Sequence, residues 1–204
     1  MPTYSSVSPL LLPLLVCFIL GSIPFAVLSM LGTGIDIRQV GSGNPGFNNV
    51  LRVSKPRAVV ALIGDLGKGV LAIWLFHKAG DPVAVGWLYG FAAILGHCYS
   101  PWLKFNGGKG IATSTGVMLM LYPFWAGISV PVYVIGRLVG KKLKWKEEGA
   151  MSSVGSCVVF TVLLAIWLQP VDAIYAAIMT LFLAWRHKKN FQNMLSRTPP
   201  EVAA

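Results

Sequence analysis

Charged residues are scarce in this chain of 204 residues: they make up 12% of it, and only seven are acidic. Hydrophobic residues make up 55%, and the mean hydropathy is +0.66. Such a composition excludes an ordinary soluble globular domain. Apolar runs approaching about 20 residues, the length that crosses about 30 Å of hydrocarbon, recur along the chain. The short alternating segments of a β-barrel are absent. The sequence therefore predicts an all-α polytopic integral membrane protein.

Histidine and cysteine are also scarce, with three of each. Cys17, Cys98 and Cys157 are far apart and have no CxxC spacing, which favours small buried side chains over redox or ligand roles. Three dispersed histidines argue against a metal site, and we expect no cofactor. A nucleophile elbow (GxSxG) and an HxxxxD pair are both missing.

The formal net charge of +10 would suit a nucleic-acid partner, but its distribution does not. The basic residues lie between apolar runs rather than on one soluble face, so anionic lipid or phosphate explains them better, and we expect no nucleic acid. The apolar run 9–31 has no positive region before it and is too long for a signal peptide. We therefore interpret it as a retained first helix, embedded in the lipid bilayer.

Seven apolar segments are predicted to span the membrane within a single domain, residues 1–204. The connecting segments fall alternately on two sides, and every Lys and Arg except Lys68 and Lys78 lies on one side or at its helix ends. Cytoplasmic loops are enriched in Lys and Arg, so the N-terminus is predicted outside and the C-terminus in the cytoplasm. The predicted spans are 9–31, 57–77, 83–100, 110–122, 123–138, 151–168 and 171–186.

Residues 110–136 allow a second interpretation, a single tilted span. These residues would rise about 40 Å as one helix, whereas 110–122 alone would rise about 20 Å, so length favours one span. Charge favours two, because a single span would place the lysines of residues 141–146 outside. Proline also disfavours helix at the residue before it, so we expect a break at Tyr122-Pro123 and a short helix that starts below the membrane surface.

The first polar segment that could carry chemistry is the first glycine loop, residues 36–52. Its glycines allow backbone N–H groups to approach a ligand closely, as in nests for phosphate oxygens. Ser42 and Asn44 can hydrogen-bond an oxyanion, and Arg52 can bind phosphate in a bidentate manner. An ordinary connecting loop would use the same turn-forming residues, so this loop alone does not distinguish a phosphate site from a simple connection between helices. The candidate residues here are Gly41, Ser42, Gly43, Asn44, Asn49 and Arg52.

The second glycine loop, residues 96–110, ends in Gly107-Gly108-Lys109-Gly110 directly before a helical run. This order would bring free N–H groups, the positive end of the helix dipole and an ammonium group together. The GxxxxGK[ST] spacing of a P-loop and its preceding strand are missing, which argues against nucleotide hydrolysis. His97 is either a structural support of this site or an interfacial histidine bonded to backbone. The candidate residues here are His97, Gly107, Gly108 and Lys109.

The third polar segment is the C-terminal basic segment, residues 185–190, at the cytoplasmic end of the last span. Its Lys and Arg residues need no function, because cations are favoured both at a helix C-terminus and on the cytoplasmic side. His187 and Asn190 would share a helix face if the helix continues. His187 can accept a proton or donate to phosphate near neutral pH.

Two charges, Asp65 and Lys68, lie inside the second span. Intramembrane charges are costly and usually paired, so an i, i+3 structural ion pair is favoured over substrate contact. An anion transporter, the main rival hypothesis, would continue polar residues through the spans. Only this pair lies at depth, which disfavours transport.

Taken in order, these segments resemble the acyl-phosphate-dependent glycerol-3-phosphate acyltransferases of bacterial membranes, over nearly the whole chain. Phe47-Asn48 stands where the family commonly has Ala-Thr. Arg197 and Pro199 stand where members usually have a Gly-x-Glu. The resembling residues are 21–24, 36–38, 41–44 and 49–52 for the first motif, 96–97, 105–110 and 112–113 for the second, and 186–187 with Asn190 for the third.

The resemblance implies transfer of a fatty acyl group from acyl phosphate to the 1-hydroxyl of glycerol 3-phosphate, giving lysophosphatidic acid and inorganic phosphate in phospholipid biosynthesis. It also implies seven helices, a cytoplasm-facing site in the bacterial inner membrane, and no direct acyl-carrier protein or coenzyme A donor. Carried over by position, the catalytic residues are Ser42, Lys109, His187 and Asn190, with Arg52 binding substrate.

Two chemical questions stay open at this point. The proton of the attacking hydroxyl passes either to His187 or to a phosphate oxygen of the substrate. Direct transfer is favoured over an acyl-enzyme on Ser42, because no base adjoins Ser42 in the sequence. A divergent paralogue with another acceptor is the alternative within the same class.

Overall fold

The computed structural model describes residues 8–196, so Arg197 and Pro199 lie outside the described residues. All regular secondary structure within that range is helical, which confirms the all-α prediction for this part of the chain. The chain divides into two compact units, residues 1–121 and 122–204.

The first unit contains six described α-helices and a short 3₁₀ helix at Pro101–Leu103. The α-helices are α1 (Ser8–Ser22), α2 (Phe25–Leu28), α3 (Phe47–Val53), α4 (Lys55–Phe76), α5 (Val83–Cys98) and α6 (Ile111–Leu121).

The break between α1 and α2 is stabilised by side chains from elsewhere in the unit. Pro24 has no N–H to continue the helix of α1. The carbonyl of Ser22 accepts a hydrogen bond from the Ser100 hydroxyl at 2.6 Å. The carbonyl of Ile23 accepts one from Lys68 Nζ at 2.9 Å. Since hydrocarbon offers no donors, a broken membrane helix persists only where the protein supplies them.

Glycines bring the helices of the first unit into close contact. A Cβ added to Gly96 of α5 would meet the backbone carbonyl of Phe18 in α1. A Cβ added to Gly116 of α6 would meet the carbonyl of Leu66 in α4. Small residues at such crossings are typical of membrane helices, because close backbone approach replaces the missing hydrophobic driving force.

The second unit contains four described α-helices: α7 (Pro123–Lys142), α8 (Glu148–Trp167), α9 (Pro170–Arg186) and α10 (Lys188–Leu195). The Thr161 and Thr180 hydroxyls lie 2.9 Å apart and join α8 to α9. The Tyr122 hydroxyl donates to Asp172 at 2.6 Å and ties the start of α7 to the start of α9. Asp172 is buried, so this bond supplies a partner for one of its carboxylate oxygens.

A helix lies in each of the seven segments predicted as spans, and the break predicted at Tyr122-Pro123 is present. Within residues 8–196, five helical stretches are long and apolar enough to cross a membrane: Pro9–Leu28, Lys55–Phe76, Val83–Leu103, Pro123–Lys142 and Glu148–Trp167. The remaining two are shorter, with 11 residues in α6 and 17 in α9. Helix α7 continues four residues beyond its predicted end at position 138. Charged residues mark where a helix leaves the membrane, but they do not end the helix, because Lys is a good helix former.

Candidate active site

The first glycine loop is a folded structure rather than an open connector. Gly41 and Gly43 have φ of +59° and +65°, a left-handed conformation that favours glycine. The loop includes helix α3, which the sequence did not predict. Its first residue, Phe47, packs with Val40 and Leu51 against an apolar cluster that includes Ile37 and Val50. Phe47 therefore contributes to the packing that holds the loop.

Asn49 organises the turn of this loop. Its side-chain amide donates to the carbonyls of Ile37 and Val40, each at 2.9 Å, and its Oδ1 accepts the Ser42 N–H at 3.0 Å. Asn49 is 1% exposed, and a Cβ on Gly41 would meet its Oδ1. Both amide hydrogens are thus used within the loop, so Asn49 shapes the turn that presents Ser42.

Exposed polar groups surround this turn. Ser42 is exposed, and the exposed Arg52 places Nη1 3.5 Å from Asn49 Oδ1. Asn44 is half-buried, and its side-chain amide lies close to Gly46. A Cβ added to Gly46 would be only 2.9 Å from Asn44 Nδ2. The backbone N–H of Ser42 and the guanidinium of Arg52 therefore both contact one buried amide, an arrangement that suits an incoming phosphate.

A second arginine of this loop is committed to an ion pair. Arg38 donates from Nε to Asp36 Oδ1 at 2.9 Å and from Nη2 to Asp36 Oδ2 at 2.7 Å. These hydrogen bonds lower the pKa of Asp36 from its ordinary 3.8 to about 2, and the same pairing raises the pKa of Arg38. Arg52 is thus better placed than Arg38 to bind a substrate anion.

The second glycine loop closes against the end of α5. The Gly107 N–H donates to the Cys98 carbonyl at 3.1 Å, and the Gly108 N–H donates to the His97 carbonyl at 3.2 Å. The expectation that these two N–H groups are free for phosphate is therefore corrected: they satisfy the last carbonyls of a helix. Gly110, at φ +89°, then starts α6 by accepting the Ser114 N–H at 2.8 Å. Lys109 is half-buried between these two bonded segments.

His97 supports this turn through its ring as well as its carbonyl. A Cβ on Gly108 would meet His97 Nε2, so the ring lies directly against the turn. On its other side, His97 Nδ1 lies 3.5 Å from Asp65 Oδ1. Asp65 also pairs with Lys68 at 2.9 Å, which confirms the predicted ion pair. The contact between Asp65 and His97 was not predicted, because the two residues are 32 positions apart in the sequence.

In the second unit, the C-terminal basic segment forms a corner between α9 and α10. The helix does not run straight through: His187 separates the two helices, and the Asn190 N–H donates to the His187 carbonyl at 2.9 Å. His187 is 4% exposed, and its Nδ1 lies 2.8 Å from the Leu183 carbonyl. A carbonyl only accepts, so Nδ1 carries the proton in this hydrogen bond.

Glu147, a residue that sequence reasoning missed, holds this corner. Its Oε2 accepts from Asn190 Nδ2 at 2.6 Å, and its Oε1 accepts from Asn193 Nδ2 at 3.1 Å. Lys146 Nζ donates to the Ser196 carbonyl at 3.2 Å. These hydrogen bonds tie the charged segment between α7 and α8 to α10 and the residue that follows it. In the sequence, Glu147 is distinguished only as an acidic residue close to several lysines.

The structure therefore places the predicted site residues in two groups. The first unit holds both glycine loops, with Ser42, Arg52 and Lys109. The second unit holds His187 and Asn190 at one helix corner.

Comparisons with known proteins bear on what this arrangement does. The family described as glycerol-3-phosphate acyltransferase matches residues 11–197. A glycerol-3-phosphate acyltransferase of Laribacter hongkongensis is 38% identical over 201 residues, covering 93% of this chain and 94% of the relative. One from Zymomonas mobilis is 37% identical, covering 88% and 89%.

Solved structures give the same result at the level of the fold. A crystal structure of PlsY (YgiH), an integral membrane glycerol 3-phosphate acyltransferase in its glycerol 3-phosphate form, is similar with a TM-score of 0.77 and 27% identity. Its lysophosphatidic acid form is similar with a TM-score of 0.76 and 28% identity. Each match covers 92% of both chains.

Proposed function

Because the chain belongs to the glycerol-3-phosphate acyltransferase family, we propose that it is the membrane enzyme that acylates glycerol 3-phosphate from acyl phosphate. The products are lysophosphatidic acid and inorganic phosphate, the first lipid intermediate of phospholipid synthesis and its by-product. The crystal forms of PlsY with glycerol 3-phosphate and with lysophosphatidic acid support this acceptor and this product.

The reaction needs positioning more than activation, because acyl phosphate is already an activated donor. The 1-hydroxyl oxygen attacks the acyl carbonyl carbon, a carbon–oxygen bond forms, and the bond from that carbon to the phosphate oxygen breaks. The hydroxyl proton leaves to a base and phosphate departs with the bonding pair. An enzyme accelerates this step by holding the two phosphate-bearing substrates together and by stabilising the developing oxyanion.

One observation carries the assignment: both glycine loops of the first unit present a basic side chain on a buried, hydrogen-bonded support. Arg52 stands beside the turn that Asn49 closes. Lys109 follows the turn that packs on His97. We propose that Arg52 and Lys109 neutralise two phosphate groups that otherwise repel each other, and that Ser42 donates to a substrate oxygen. Gly41, Gly43 and Asn44 shape the first of these anion sites, and Gly107 and Gly108 shape the second.

We propose that His187 and Asn190 take part in catalysis from the corner of the second unit. Asn190 donates a hydrogen bond to substrate, and His187 is one of two candidate acceptors for the hydroxyl proton. A substrate phosphate oxygen is the competing acceptor. The pH dependence of kcat/KM distinguishes them in His187→Asn, which keeps a donor for the Leu183 carbonyl. Loss of the acidic limb identifies His187 as the base, and retention of that limb identifies the phosphate.

For the membrane topology we propose seven spans, with the N-terminus outside and the C-terminus and active site on the cytoplasmic side of the bacterial inner membrane. The five long apolar helices supply five spans, and the shorter α6 and α9 supply the others. The concentration of Lys and Arg in the connecting segments on one side supports this orientation. Single cysteines at Lys78 and Lys144 test it by labelling from outside with a membrane-impermeant maleimide. Labelling at 78 alone is expected.

The decisive experiment for the reaction is a panel of donors and acceptors with purified protein in lipid nanodiscs. Palmitoyl phosphate with labelled glycerol 3-phosphate is expected to give labelled lysophosphatidic acid. Palmitoyl-coenzyme A and palmitoyl-acyl-carrier protein are expected to give none. Transfer to another acceptor alone would identify a divergent paralogue. Uptake of glycerol 3-phosphate into liposomes without acylation would identify a transporter.

A further inference from the structure

A chain of buried polar contacts runs through the first unit beneath the two glycine loops. It consists of Lys68 and Asp65 on α4 and His97 on α5, which are 1%, 2% and 7% exposed. Lys68 Nζ lies 2.9 Å from Asp65 Oδ1, and His97 Nδ1 lies 3.5 Å from the same oxygen. We call these three residues the buried triad.

At one end, the buried triad holds the break in the first membrane helix. Lys68 Nζ donates to the Ile23 carbonyl at 2.9 Å and lies 5.9 Å from the centre of the Phe25 ring. Helix α2 begins at Phe25, and its residue Ala26 shares an apolar cluster with Ile37 and Val50 of the first glycine loop. The position of Lys68 is therefore transmitted to that loop through one short helix.

At the other end, the buried triad holds the second glycine loop. The His97 ring lies against Gly108 at Nε2, and the His97 carbonyl accepts the Gly108 N–H at 3.2 Å. Asp65 fixes this ring from the side opposite the turn. Lys109 is the next residue along, so the ring orientation sets where its backbone lies.

Stability alone is a weak reason for such a group to be buried. Taking two charges out of water is costly, and an apolar pair of similar volume often serves stability as well or better. Charged groups with directional hydrogen bonds instead fix the relative positions of the residues that they join. We propose that the buried triad is a positioning network that fixes the two phosphate-handling loops relative to one another. This inference rests on the proposed function for its catalytic consequence, but its structural content can be tested without activity.

The test removes both charges together, because Asp65→Asn alone would leave a buried ammonium unpaired. The double variant Asp65→Asn/Lys68→Met keeps side-chain volume and leaves His97 without its carboxylate. Gly67→Ala is the matched control: it lies between the two charges on α4, and its new Cβ would meet none of the described atoms within 4 Å.

The first measurement is hydrogen–deuterium exchange of the peptide covering residues 105–110. In the double variant, the Gly107 and Gly108 amides are expected to exchange about tenfold faster or more, because their bonds to α5 open more often. Helix α8, in the other unit, serves as internal reference and is expected to keep its exchange rate. Unchanged exchange at the turn would overturn the inference, and so would equal acceleration in α8.

The second measurement is the KM of each substrate, glycerol 3-phosphate and palmitoyl phosphate. Displaced loops are expected to raise at least one KM about tenfold while kcat falls less, because fewer molecules hold the competent geometry. Both KM values within twofold of wild type would overturn the inference. A wild-type protein that transfers no acyl group would instead refute the proposed function, and the exchange measurement would still decide on the buried triad.

Discussion

Replacing Asn49 tests whether the shape of the first glycine loop depends on one buried amide. Asn49 donates to the Ile37 and Val40 carbonyls at 2.9 Å and accepts the Ser42 N–H at 3.0 Å. Asn49→Ala removes all three bonds at once. Ser42 is exposed, so its N–H can turn to water, whereas Ile37 is 1% exposed and its carbonyl has little access to water.

The expected cost follows from the two carbonyls. A buried polar group left without its partner costs about 1–3 kcal/mol, and Val40 is only half-buried, so the sum is about 2–4 kcal/mol. Where the free energy of unfolding of the loop is smaller than this cost, the fraction of enzyme molecules with a correctly folded loop falls by the factor that corresponds to the cost. With about 1.4 kcal/mol per tenfold change, kcat/KM for glycerol 3-phosphate is expected to fall about 30-fold to 700-fold.

The near-isosteric variant Asn49→Asp sharpens the test. It keeps an acceptor for the Ser42 N–H but turns a carboxylate oxygen toward two carbonyl oxygens, so it should be at least as harmful as alanine. Steady-state kinetics with palmitoyl phosphate measure both variants, with Gln39→Ala, an exposed neighbour in the same loop, as control. An Asn49→Asp enzyme within threefold of wild type would refute the reasoning.

Two further predictions concern stability and the second unit. Gly96→Ala forces a Cβ against the Phe18 carbonyl, so the thermal midpoint in detergent should fall by the equivalent of about 1–3 kcal/mol, whereas Gly67→Ala should not lower it. An unchanged midpoint for Gly96→Ala would mean that the helices separate easily. Glu147→Ala removes the acceptor of Asn190 and Asn193, and should cost about 1–2 kcal/mol and lower kcat by releasing Asn190. Glu148→Ala, which loses only a 3.6 Å contact to Arg137, should cost less; equal effects would contradict the assignment.

The positions of the helices follow from the sequence because their signals are local. Apolar runs of membrane length, and the prolines at breaks such as Pro24, Pro123 and Pro170, are properties of neighbouring residues. The break at Tyr122-Pro123 is an example. Helix α3 was missed for the same reason: its seven residues have no length signal, and packing of Phe47 and Val50 against other helices is what holds it.

Long-range pairing could not be predicted from the same signals. The i, i+3 spacing identifies Asp65 and Lys68 as partners, but nothing in their sequence neighbourhood indicates His97. Likewise, the glycines of the second loop predict a turn, whereas only the fold shows that two of its N–H groups are used by the end of α5. The role of Glu147 depends on a contact 43 positions away.

The central claim is that Lys109, on its glycine turn, binds a phosphate group during acyl transfer. The most direct test measures lysophosphatidic acid and inorganic phosphate together, from palmitoyl phosphate and glycerol 3-phosphate, for wild type, Lys109→Met and Lys104→Met. Lys104 is an exposed lysine of the same loop and serves as the charge-matched control. We predict equal amounts of the two products from wild type and Lys104→Met, and loss of both from a folded Lys109→Met. Wild-type turnover retained by Lys109→Met would contradict the account.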